Sequence, residues 1–255
     1  MTSKRLIFTL LYDSGSFMLS RNFRLQRVGN LKWLEENYGF SNVGYAIDEL
    51  HVLDVSRQPR NLERFCEDLK LLTNHCFAPI CAGGGVRSSD HARSLLRSGA
   101  DKVVINTALH DQPNLVNDLA QEFGNQCIVA SIDCEKKDQE FFVTKKNSFE
   151  LTDFSLAKFL GYCRTLPIGE IILNSVERDG TGNGLDLEML NSVPSNLNLP
   201  LIITGGVGNS SHITEGLRDN RVDAVATANL LNFMGEGLMR ARNFAVQSGI
   251  SLPNF

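Results

Sequence analysis

The sequence predicts an α/β fold, a closed (β/α)8 barrel built from two similar half-barrels, and three observations carry that prediction. Short β-branched runs alternate with amphipathic segments eight times, the pattern of parallel strands joined by crossover helices. The runs are apolar almost throughout, as strands buried on both faces must be. The chain also repeats itself: Gly84-Gly85-Val86 returns 121 residues later as Gly205-Gly206-Val207, residues 100–104 return as 222–226, and residues 51–54 as 171–174. A period that long means two related halves rather than a solenoid, whose repeats run about 20 to 50 residues. The halves fall near 1–123 and 124–255, within one barrel domain of 255 residues.

Taken in order, strands are expected at 6–11, 50–54, 79–82 and 102–105, followed by helices near 31–38, 62–72, 88–98 and 114–123. The second half repeats the scheme with strands at 127–133, 171–175, 201–204 and 224–227, each followed by a helical pattern. Two stretches interrupt it. Residues 134–151 are polar but hold Phe141-Phe142-Val143-Thr144, which reads as a hairpin inserted after the fifth strand. Residues 12–30 read as a long, Arg-rich, glycine-punctuated loop after the first strand. Both fall at the C-terminal face, where barrels of this kind carry their chemistry.

Composition excludes several classes. A net charge of −4 gives no basic footprint for nucleic acid. No apolar run approaches the roughly 18 residues of a membrane span, and the start of the chain lacks the pattern of a signal peptide. Cysteines 66, 76, 81, 127, 134 and 163 form no close pair. They read as buried thiols of a cytoplasmic protein, and neither they nor the five histidines show zinc-ligand spacing. No metal and no cofactor are expected.

Each Gly-Gly-Val turn follows a strand and opens a helix. Glycine lets backbone N–H groups approach a ligand, and the helix start adds partial positive charge, so each turn suits a phosphate or is merely a tight turn. Asn106-Thr107 ends the fourth strand and Thr227-Ala228-Asn229 the eighth, so each can complete one of two phosphate sites for a substrate phosphorylated at both ends. Asp133 closes the fifth strand, where a carboxylate can act as general acid or base. Its counterpart in the other half is Leu11, so no symmetric pair of carboxylates is available. Asp54 and Asp179 are further acids at the mouth, the latter within a turn-like Asp179-Gly180-Thr181-Gly182. At the opposite end, Arg5, Glu49, Lys102 and Glu170 stand at the starts of four strands. Barrel topology gathers them into one ring of alternating sign, either a structural plug or a gate that opens.

These features together resemble one family over the whole chain, the cyclase (HisF) subunit of imidazole glycerol phosphate synthase. Matching stretches include Lys4-Arg5-Leu6-Ile7, Ile47-Asp48-Glu49-Leu50, Gly83-Gly84-Gly85-Val86, Gly99-Ala100-Asp101-Lys102-Val103, Ile132-Asp133 and Arg178-Asp179-Gly180-Thr181. The resemblance implies a barrel that takes ammonia from a HisH-like glutaminase on its N-terminal face and uses it to cleave and cyclise a diphosphorylated substrate. By similarity, Arg5, Glu49, Lys102 and Glu170 form the ammonia gate, and Asp101 lies at the glutaminase interface. Gly85, Asn106 and Thr107 would hold one phosphate; Gly180, Gly206, Ala228 and Asn229 the other, with Asn229 standing where the family usually has Ser.

The departures fall on the chemistry. The family carries catalytic aspartates at the ends of the first and fifth strands; Asp133 keeps the second, while Leu11 occupies the first. Leu19 stands where the family has a lysine that reaches the substrate. A positioned acid or base is worth about 10² to 10⁴ in rate, and leucine supplies neither. A preserved scaffold and gate with leucine in the first position is similar to the branch associated with glycosyl amidation. Its members accompany a glutaminase-like subunit and an N-acetyl sugar amidotransferase of surface-polysaccharide synthesis. Three readings follow: an ammonia conduit for sugar amidation, an active cyclase working through Asp133 and Asp54, and a stand-alone sugar-phosphate barrel such as an isomerase.

Overall fold

The computed structural model describes residues 3–57, 59–145 and 150–253. Eight strands form the barrel: β1 (Arg5–Asp13), β2 (Glu49–Asp54), β3 (Ile80–Gly83), β4 (Lys102–Ile105), β5 (Ile128–Lys137), β6 (Glu170–Ser175), β7 (Leu201–Thr204) and β8 (Ala224–Thr227). Each is parallel to the next, β8 pairs with β1, and the ring closes without an edge. Outside it lie α1 (Leu31–Tyr38), α2 (Leu62–Thr73), α3 (Ser89–Arg97), α4 (Pro113–Phe123), α5 (Leu156–Cys163), α6 (Ser210–Arg218) and α7 (Gly237–Gln247). The (β/α)8 barrel is thus confirmed.

The strands are apolar on both faces because each face meets a different core. Inside the barrel, Ile7, Cys81, Val104, Val129, Ile172, Ile202 and Ala226 pack against one another. A larger cluster that includes Leu6, Phe8, Leu50, Phe65, Ile105, Leu160 and Ile203 fills the layer between strands and helices. Local signals start the helices: the side chains of Asn30, Asn61, Ser88 and Asn209 each accept the N–H three residues on.

Aspartates set the register at the barrel floor. Asp48, Asp101 and Asp223, each one residue before or at the start of an even strand, accept the N–H of Leu6, Ile80 and Leu201 on the preceding strand, at 2.7, 2.8 and 2.9 Å. Asp48 also takes a buried two-pronged contact from Arg242 of α7, both bonds 3.0 Å, which ties the last helix to the floor.

Two expectations are corrected. Residues 12–30 are not an irregular loop: β1 runs on into an antiparallel hairpin of Ser16–Arg21 and Arg24–Gly29. Its two-residue turn, Asn22-Phe23, has φ of 50° and 58°, the positive-φ pair whose twist matches paired strands. After β6 the helical pattern becomes only a 3-10 segment, Leu187–Ser192. The hairpin after β5 is present as Glu140–Lys145 and Glu150–Ser155, with part of the expected stretch, 146–149, outside the described residues. All six cysteines are free thiols, four of them buried and Cys66 and Cys127 partly so. Among the described residues no helix is long and apolar enough to cross a membrane.

Candidate functional site at the barrel mouth and floor

Strand alternation sends the side chains of Leu11, Leu53, Asn106, Asp133 and Asn174 toward one cavity at the C-terminal mouth. Asp133 sits between two amides: Asn106 Nδ2 donates to Oδ2 at 3.0 Å and Asn174 Nδ2 to Oδ1 at 2.8 Å. Burial pushes its carboxyl upward, the two amide bonds pull it back, and nearby Asp179 adds to the rise. Leu11 lines the same cavity, paired in register with Leu53, and presents hydrocarbon to it.

The two glycine turns lie in two adjoining cavities. The first contains Gly84, Gly85 and Thr107; the second contains Gly180, Gly182, Gly205, Gly206 and Asn229, and Ala228 lines both. Gly85, at φ 64°, has the Arg60 guanidinium where a Cβ would go. Asn106 lines the first cavity as well as donating one amide hydrogen to Asp133. The Asn229 side chain likewise accepts the N–H of Asn232 at 3.1 Å, capping its own turn.

The hairpin runs between these cavities, and Asp179 holds it there. The Asp179 carboxylate accepts Ser20 Oγ at 2.5 Å and the Phe23 N–H at 2.8 Å, while its carbonyl accepts the Asn22 N–H at 3.0 Å. Burial raises its carboxyl and those hydrogen bonds oppose the rise. Gly180 follows at φ 65° with the Ser20 carbonyl directly against it, leaving no room for a side chain. Asp179 is therefore a hairpin latch as well as a mouth carboxylate. Asp54 is buried in the first cavity, accepting Ser56 N–H at 2.9 Å with Arg60 Nε at 3.8 Å.

Of the cations here, only the Arg-rich stretch 12–30 was legible in the sequence, and no single arginine stood out in it. Arg57, Arg60 and Arg87 line the first cavity, and Arg21 and Arg24 of the hairpin line the second beside Leu19. They come from loops and a hairpin turn without periodic pattern, so nothing in their spacing marks them.

At the floor, all four predicted ring residues meet. Arg5 Nη1 is 2.8 Å from Glu49 Oε2, and Arg5 Nη2 contacts Glu170 Oε1. Lys102 Nζ is 3.1 Å from both Glu49 and Glu170. Burial alone would raise Glu49, but His51, Lys102 and Arg5 hold it down at about 2. Burial would likewise lower Arg5 and Lys102, and the two carboxylates raise both instead. Asp101 is exposed beside this ring, one carboxylate oxygen occupied by Ile80 N–H. The structure also places His51 and Cys81 above Glu49, an association the spacing of histidines and cysteines did not reveal.

The fold and site define a (β/α)8 barrel protein with paired glycine turns at its mouth and an ion-paired ring at its floor. The family model described as "Histidine biosynthesis protein" matches residues 42–236. A Parasynechococcus marenigrum protein provisionally named imidazole glycerol phosphate synthase subunit hisF2 is 44% identical over all of this chain and 95% of its own length. The imidazole glycerol phosphate synthase subunits HisF of Chlorobium limicola and Chlorobaculum tepidum are 32% and 31% identical, each covered for 98% or more. The chain belongs to the histidine biosynthesis protein family, as a HisF-like member.

Proposed function

We propose that this barrel is the ammonia-conducting subunit of a glutamine amidotransferase complex, and that it serves sugar amidation in the cytoplasm rather than making imidazole glycerol phosphate. One contrast carries the reading: the floor ring of Arg5, Glu49, Lys102 and Glu170 is complete, while Leu11 faces the cavity where Asp133 would need a partner. A HisH-like glutaminase docks on the N-terminal face, around Asp101. Tyr45 and Phe77, 54% and 81% exposed, precede β2 and β3 on that face and suit an interface. Ammonia enters past Lys102, crosses the bore and leaves at the mouth for an N-acetyl sugar amidotransferase of surface-polysaccharide synthesis.

In this reading the mouth keeps its binding frame for a phosphorylated small molecule. Gly85, Asn106 and Thr107 face one phosphate, with Asn106 also holding Asp133; Gly180, Gly206, Ala228 and Asn229 face the other. Arg60 and Arg24 supply cationic charge in place of the lysine that Leu19 removes. The second reading, an active cyclase of histidine biosynthesis, is favoured by Asp133 held between Asn106 and Asn174. Co-expression with a HisH-like glutaminase tests the first. A stable complex with stimulated glutamine hydrolysis is expected; a barrel that neither binds the glutaminase nor stimulates it would leave only a stand-alone sugar-phosphate enzyme.

A further inference from the structure

Just above the floor ring the bore is lined by Ile7, Val104, Val129, Ile172 and Ile202. His51 and Cys81, 1% and 0% exposed, interrupt this lining. Glu49 and His51 stand two apart on β2 and so share its inward face, and the β2–β3 register sets His51 beside Cys81. His51 Nε2 lies 3.3 Å from Glu49 Oε1. Glu49 is a carboxylate at neutral pH and can only accept, so Nε2 carries the proton and donates. Among the described residues that is the ring's one hydrogen bond, which leaves Nδ1 with a lone pair. The same ring also lines the first mouth cavity. One imidazole therefore touches the gate carboxylate below and the cavity above.

A small polar guest leaving the ion ring would otherwise give up its hydrogen bonds in an apolar passage. We infer that His51 is an ammonia-binding station inside the barrel, its Nδ1 accepting an N–H of ammonia between the ion-paired floor and the mouth cavity. The inference rests on the conduit reading and adds a binding site to it. The donor atoms of Glu49, His51 and Cys81 lie within 4.8 Å of one another, a spacing that also suits a metal ion. Ammonia is favoured because Glu49 is already neutralised by Arg5 and Lys102, beside which a divalent cation would be repelled.

The test uses the full chain labelled with 15N at histidine, observed by NMR above the ordinary imidazole pKa and titrated with ammonium chloride against potassium chloride. His51 is expected as the Nε2–H tautomer, with an Nδ1 resonance that moves saturably with ammonium chloride alone. His75, His91, His110 and His212 should stay still, and His51→Val should remove the saturable response while the other four spectra are kept. An Nδ1–H tautomer, or an Nδ1 resonance indifferent to ammonium chloride, overturns the station. Zinc chloride that shifts His51 and survives dialysis against chelator overturns it too, assigning the trio to a metal. None of these measurements involves the glutaminase: failure to bind glutaminase sinks the conduit reading, whereas a silent His51 sinks the station alone.

Discussion

The floor and the mouth of this barrel treat buried charge in opposite ways. At the floor, four side chains from four strands alternate in sign, and both carboxylates are shared between Arg5 and Lys102. At the mouth, Asp133 has two neutral amides for company and the hydrocarbon of Leu11 and Leu53 in the same cavity. Neutralised charge can stabilise a fold and still open by exchange of partners. An acid held by burial and amides is poised for a ligand and contributes little to stability. The difference teaches that the two ends of one barrel can vary separately: the four-residue ion ring at the floor is complete, while Asp133 at the mouth faces Leu11 rather than a symmetric carboxylate.

Breaking the floor should have the largest effect. Lys102→Ala leaves Arg5 as the one ring cation shared by Glu49 and Glu170, and losing one partner of a buried pair costs about 3 kcal/mol. A denaturant midpoint lowered accordingly is expected, together with escape of glutamine-derived ammonia to solvent in the glutaminase complex. An unchanged midpoint and normal transfer would reduce the ring to decoration. At the mouth, Gly180→Ala forces a Cβ at φ 65° against the Ser20 carbonyl, a strain of about 1–3 kcal/mol. Hydrogen exchange at amides 16–29 should quicken as the hairpin lifts, and unaltered exchange would show that Asp179 holds it regardless.

Acid should also weaken the floor. Glu49 ionises at about 2 in the fold against an ordinary 4.5, so its contribution is fully present above pH 4.5 and is lost as pH falls toward 2. Denaturation across that window should flatten in Glu49→Gln; an identical profile would move the acid sensitivity elsewhere. The smallest effect belongs to Asp133→Asn. Because burial disfavours its charged form, the variant should hold or raise the melting temperature, within about 1 kcal/mol. A marked fall would mean that the amide cage stabilises the fold.

Much of this was legible from residue pattern. Strand positions followed from apolar runs such as Leu6-Ile7-Phe8, and the ring from barrel topology, because four charges at strand starts have one place to meet. The hairpin over the mouth was not, since its turn is Asn22-Phe23 rather than a glycine pair and its strands carry arginines on exposed faces. Alternation reveals which face a side chain takes but not which neighbour it meets. For that reason the bond from Asn106 to Asp133 was not legible, and His51 and Cys81 came together only through the β2–β3 register.

The central claim is that this barrel conducts ammonia without cyclising. The direct measurement supplies the purified chain with the diphosphorylated ribosyl intermediate of histidine biosynthesis and an ammonium salt, and quantifies imidazole glycerol phosphate. No product above the uncatalysed background is predicted, because Leu11 offers neither acid nor base opposite Asp133. Robust turnover would contradict the account.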